Sequence, residues 1–224
     1  RFNSKINPVP LKRLGAGYHS LDTRTKLASA TGIRTAMANK DNISGLLPDN
    51  CLNIIKNHTT IEYNDFSTVL GSKLLSMDTL DHIEGINQDL SNRIANNKYN
   101  FTDIETFIPM LQSKNYTYSA ISRALLNIIL DIKTDDIKEF ISNNYVNYAM
   151  ILGFNKNTGI LSEINKYTKI PLVSKFATFY KEADNNQRKM LDINLKADNL
   201  YRMIYMNKTS ETLPTEFQRQ IIIK

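Results

Sequence analysis

From residue 64 to residue 142 apolar side chains recur every three or four positions, and this rhythm constrains the fold more than any other feature. A helix places residues three and four apart on one face, so the rhythm predicts amphipathic helices sharing a core. Phe66, Val69, Leu70, Leu74 and Leu75 carry it over 64–76. Leu80, Ile83, Ile86, Leu90 and Ile94 carry it over 80–96. Thr102, Thr117 and Thr134 each stand before a further run, which predicts helices over 102–112, 117–130 and 134–142. Thr102 and Glu105 have capping-box spacing, and Asp135 and Asp136 suit a first helical turn. The intervening loops are short, as in a bundle.

The flanking segments follow other patterns. Pro10-Leu11-Lys12-Arg13-Leu14-Gly15 reads as a short strand entering a turn, with Gly15 and Gly17 supplying permissive backbone. Ser29-Ala30-Thr31-Gly32 then opens a capped helix running through Met37. One strand and one helix cannot make a parallel sheet alone, so the chain is expected to start partway through an α/β domain. Pro48 suits a first helical position ahead of Leu52, Ile54 and Ile55. Further on, Tyr148–Phe154 and Ile170–Val173 are apolar runs on either side of a helical Asn157–Tyr167, a strand–helix–strand crossover. A long helix follows over 183–206, and Ile221–Ile223 fits either a closing strand or a frayed tail. The expected fold is mainly α with a small α/β part. Its divisions are 1–43, a helical domain over 44–145, and a C-terminal α/β region with the long helix over 146–224.

Composition narrows the chemistry. With 42% hydrophobic and 22% charged residues, the 224-residue chain has the balance of a folded globular protein. No apolar stretch reaches the roughly 18 residues of a membrane-spanning helix. A lone Cys51 forms no internal disulfide, and no Cys/His cluster has zinc-ligand spacing, so a reducing cytoplasm fits best. His19, His58 and His82 make no HxxxH pair, and neither a serine elbow nor a P-loop is present. The net charge is +6, and it is uneven. Residues 1–112 carry 12 basic and 11 acidic side chains, while residues 113–224 carry 16 and 11, a net of +5. A basic half fits a polyanion such as RNA, and it fits equally a solvated lysine-rich surface.

Ser29, Thr31 and Arg34 form the segment richest in chemistry. Hydroxyls and backbone N–H groups at a helix N-terminus face anions, and an arginine one turn on can fork onto a phosphate. The same residues also serve as an ordinary cap. Ser-x-Thr-x-Ile-Arg is similar to the second signature of the HIGH-type nucleotidyltransferase superfamily. Upstream, Lys12-Arg13-Leu14-Gly15-Ala16-Gly17-Tyr18-His19 resembles the KRIGAGYHD stretch of the bacterial tRNA(Met) cytidine acetate ligase family. Downstream, Asn115 to Leu126 resembles that family's RYTxTRIxRLL helix, Ile151-Leu152-Gly153-Phe154-Asn155 its VLGFN strand end, and Ile170-Pro171-Leu172-Val173 its LPIIT strand. The ordered set of matches carries the resemblance.

The resemblance implies an enzyme that activates acetate with ATP, magnesium accompanying the nucleotide, and acetylates N4 of the wobble cytidine of elongator tRNA(Met). It implies that residues 1–43 are the C-terminal remnant of a Rossmann-like nucleotidyltransferase domain. Arg13 and Leu14 then match nucleotide-contacting positions, and Ser29, Thr31 and Arg34 the phosphate side. Basic and aromatic residues at two helix starts are the expected tRNA contacts: Lys114, Tyr116 and Arg123 at one, Arg188 and Lys189 at the other. The tyrosines could equally be core. Two departures stand out. Ala120 occupies a position where the family carries arginine, and no HxGH occurs in the chain, so that motif is expected N-terminal to Arg1. The chain thus reads as the C-terminal portion of a ligase, inactive on its own. A non-catalytic RNA-binding or adaptor module is the alternative. No membrane partner is expected.

Overall fold

The chain folds into two compact units, Arg1–Thr60 and Ile61–Lys224. The computed structural model describes residues 8–12, 14, 15, 17, 20–23, 28–56, 58–156 and 159–224.

In the first unit, α1 (Ala30–Ala38) and α2 (Asp49–Lys56) close over a small cluster of Ala36, Ile43 and Leu52. Ser29 is the N-cap of α1 and is fully buried. Its hydroxyl accepts the Gly32 N–H at 2.9 Å and donates to the Ser20 carbonyl at 2.5 Å. A Cβ at Gly32 would lie 3.0 Å from that same carbonyl, so glycine lets α1 approach the preceding segment. The strand expected around Leu11 is absent from the described residues. Val9 and Leu11 are 80% and 91% exposed, and no described segment offers them a ladder to join.

The second unit is built on a helical core. A 3-10 turn at Tyr63–Phe66 leads into α3 (Ser67–Ser76), followed by α4 (Gln88–Asn97), α5 (Ile104–Leu111), α6 (Tyr118–Leu130) and α7 (Thr134–Ser142). Helix α6 touches α3, α5 and the later helix over Asn185–Thr209, and its Ile121, Ala124, Leu125, Ile128 and Ile129 are no more than 2% exposed. Thr117 caps it as its spacing predicts, accepting the Ala120 N–H.

Two local expectations change. The 80–96 repeat is helical only from Gln88 onward. Over 80–87 the backbone turns away to meet the loop after α6: the Glu84 N–H donates to Ile132 O at 2.9 Å and Asn127 Nδ2 to Glu84 O at 2.9 Å. Gly85, at φ +81°, makes the bend possible. Leu80, Ile83 and Ile86 stay buried although they are not helical. At α5 the cap is Asp103, which accepts the Thr106 N–H at 2.9 Å, rather than Thr102. A carboxylate is a stronger acceptor for the positive helix end.

The last third is a crossover unit. Strand β1 (Ala149–Met150) pairs in parallel with β3 (Leu172–Val173) across α8 (Ile160–Tyr167). Strand β2 (Gly153–Phe154) pairs in parallel with β4 (Ile222–Ile223), so the terminal isoleucines close a sheet. Between them lie α9 (Phe176–Glu182) and the long α10 (Asn185–Thr209), which opens with a reciprocal Asp184–Gln187 capping box. Three lysines fasten α10 along the unit. Lys189 lies 2.6 Å from Asp136 and 2.7 Å from Glu139, Lys196 donates to Leu130 O at 2.7 Å, and Lys208 lies 2.7 Å from Asp65. Hydrogen bonds to Asp136 and Glu139 push the Lys189 pKa up, while burial pulls that of Lys196 down.

Three substitutions test this core and the α1 cap. Ile128→Ala removes a fully buried side chain from α6 and should cost about 2–5 kcal/mol in urea unfolding. Ile141→Ala, on an exposed position of α7, should stay within about 0.5 kcal/mol. Ser29→Ala should weaken α1 by about 0.5–2 kcal/mol, read as faster hydrogen exchange of its amides.

Candidate functional site

The first-unit candidates gather on one short helix. Thr31 is the second residue of α1 and half-buried, and Arg34 is exposed one turn further on. Their i,i+3 spacing makes them surface neighbours. No acidic residue occupies the first turn of α1, and Arg34 forms no ion pair with another described residue. The Ser29 hydroxyl is consumed by Gly32 and Ser20, so its part here is to hold the cap geometry. Among the described residues the Ala30 and Thr31 N–H groups have no hydrogen-bond acceptor, and they lie at the positive dipole end. A helix start so arranged can face an anion. Leu14 is exposed, and Arg13 lies outside the described residues.

The second-unit candidates fall into two groups, and no hydrogen bond or ion pair joins any of the five residues to another. Lys114 is exposed in a tight turn where Ser113 and Tyr116 bridge. Tyr116 packs against the helical core, and its hydroxyl donates to Asn87 Oδ1 at 2.5 Å, the same oxygen that caps α4. Arg123 is exposed on α6, with Nε donating to Ser119 O at 3.2 Å. Arg188 lies with its guanidinium carbon 4.0 Å from the Tyr180 ring centre, and its Nε is buried without a hydrogen-bond partner. Lys189 is held between Asp136 and Glu139.

One further cluster escaped the sequence reading. A cavity of about 230 Å³ lies between α10 and residues 213–219, with Asp198, Arg202, Glu216 and Arg219 on its walls. Arg219 Nη1 is 2.6 Å from Glu216. Burial pushes both the Asp198 and Glu216 carboxyls up, against the pull of Arg219. The Glu216–Arg219 spacing of three was the only signal of it in the sequence. Among the described residues no three His, Cys, Asp or Glu side chains are placed to hold a metal ion, and no helix is long and apolar enough to cross a membrane.

The family model for HIGH Nucleotidyl Transferase matches residues 1–216. A tRNA(Met) cytidine acetate ligase of Thermoanaerobacter sp. (strain X514) is 30% identical over 217 residues, covering 93% of this chain and 53% of that protein. The enzyme of the same name from Clostridium acetobutylicum is 29% identical over 230 residues, covering 100% and 54%. The apo crystal structure of Thermotoga maritima TmcAL superposes with a TM-score of 0.84 at 22% identity, over 95% of this chain and 54% of that one. The form bound with alpha-thio ATP gives 0.79 over 88% and 52%. The chain therefore spans about half the length of these relatives and shares the fold of that half. With the match running through both units, it belongs to the HIGH nucleotidyltransferase family.

Proposed function

We propose that this chain forms about half of an ATP-dependent ligase that acetylates N4 of the wobble cytidine in elongator tRNA(Met). The supporting observation is the extent of the likeness: proteins named tRNA(Met) cytidine acetate ligase align with 92% or more of the chain, from the Arg13–Arg34 segment through the crossover unit. An acetate oxygen attacks the α-phosphorus of ATP and pyrophosphate leaves. The cytidine N4 amine then attacks the acyl carbon of the acetyl-adenylate, AMP leaves, and the amine sheds one proton. Magnesium enters this reading as a companion of the triphosphate, and the cytoplasm as its compartment.

In this division of labour the chain supplies the phosphate side. Negative charge accumulates on phosphate oxygens as pyrophosphate departs, and preorganised donors aimed there lower the barrier. Arg34 and the free N–H groups of the first turn of α1 are such donors, Ser29 and Thr31 shape that turn, and Arg13 and Leu14 flank the nucleotide. An HxGH pair of imidazoles, absent from this chain, supplies the remaining stabilisation in the family this chain resembles. This chain by itself then forms no adenylate at a useful rate.

Acetylation of tRNA(Met) by the complete protein should require both ATP and acetate. Arg34→Ala there should lower kcat/KM for ATP by about 2–4 kcal/mol, the scale of a lost charged donor. Unchanged ATP kinetics would remove Arg34 from the phosphate side. Acetyl-adenylate formed by this chain alone would overturn the division of labour.

A further inference from the structure

The positive charge of the second unit is spent in one place and free in another. All five basic residues of α10 have partners within the chain. Lys189 meets two carboxylates, Lys208 meets Asp65, Lys196 and Arg202 donate to the carbonyls of Leu130 and Leu213, and Arg188 lies over Tyr180. The segment 156–181 is the reverse. It holds five lysines, Lys156, Lys166, Lys169, Lys175 and Lys181, against one acid, Glu163, a net of 5 − 1 = +4. All five are exposed, and none forms an ion pair with a described residue.

An aromatic platform stands among these charges. Tyr167, at the end of α8, is 80% exposed, with Lys166 before it and Lys169 two residues on. Ile160 and Ile164, 49% and 44% exposed, precede it at helical spacing, so one stripe of α8 runs Ile160, Ile164, Tyr167 in the open. Free cations around an exposed ring and an apolar stripe match a chain that offers phosphates and unstacked bases together. A duplex hides its bases and would leave the stripe uncovered.

We propose that the RNA-binding face of this chain is α8, β3 and α9, with Lys166, Lys169 and Lys175 on phosphates and Tyr167 stacking on an unpaired base, rather than the long helix α10. This rests on the reading that tRNA is the substrate, and it adds which surface meets the single-stranded part of it.

The test is binding of tRNA(Met) by the complete protein, followed by fluorescence anisotropy from about 50 to 200 mM salt. Replacing Lys166, Lys169 and Lys175 together by Gln should lower affinity at least about tenfold at the low salt and flatten the log–log salt slope by about 2, the value for three lost single-strand phosphate contacts. Tyr167→Ala alone should cost at least about fivefold with the slope unchanged. All four positions are exposed, so the thermal midpoint should not move, and this separates lost contact from lost fold. Wild-type binding that the triple variant keeps, or that Arg188→Gln or Lys189→Gln removes instead, would overturn the assignment and leave the proposed function standing. A wild type that binds no tRNA at the low salt would sink the proposed function and this face with it. Binding to phosphatidylserine vesicles in place of tRNA, lost in the triple variant, would make the face a membrane surface and overturn the proposal.

Discussion

Burial of α6 is the interaction on which the second unit depends. Its apolar side faces α3, α5 and α10 at once, and five of its side chains are almost wholly withdrawn from water. A helix of 13 residues would be marginal in isolation, and packing on several sides stabilises it. The end of α6 organises as much as its middle. Asp131, in left-handed conformation at φ 56°, turns the chain so that Ile132 receives the Glu84 N–H and His82 O receives the Thr134 N–H. One helix end thereby anchors an irregular segment and aims the first turn of the next helix.

Local signals read well wherever local physics decides. Thr117 at the start of α6, the acidic first turn of α7, the crossover from β1 to β3 and the extent of α10 were legible, because caps, periodicity and β-branched runs act within a few residues. Where a distant partner decides, the sequence misled. Leu80, Ile83 and Ile86 keep helical spacing because they line the same core, yet their own backbone bonds close tight local turns, and those of His82 and Glu84 go to a loop some fifty residues later. Spacing reports which side chains are buried and only indirectly which backbone shape buries them. Helix α9 was missed for a related reason: its aromatic residues Phe176, Phe179 and Tyr180 lack a polar stripe of helical period.

Charge shows the same divide more sharply. A lysine reads alike in sequence whether it faces solvent or a carboxylate. Lys189 finds Glu139 across 50 residues, and Lys208 finds Asp65 across 143. The basic half recognised from composition is real, but its least engaged portion lies before the long helix. In the Ser29–Arg34 segment, by contrast, the hydroxyl–arginine pattern and its helix cap coincide. Ser29 is a cap by geometry, and that same geometry leaves the first-turn amides of α1 open. The cap and the outward first-turn donors are there two consequences of one turn.

The pairing of β2 with β4 has a consequence in time. Gly153 sits so close to the last strand that a Cβ would come within 2.7 Å of the Ile222 carbonyl, and the two strands are only two residues long. Strands so short do not persist without partners. On the ribosome, the helical core from α3 to α7 can assemble from neighbouring segments as they emerge, whereas Gly153–Phe154 must wait through some seventy residues for Ile222 and Ile223. The β2–β4 pair is therefore completed only once Ile222 and Ile223 have emerged, and a chain cut before them would keep its helical core and the β1–β3 crossover and lose this second pair.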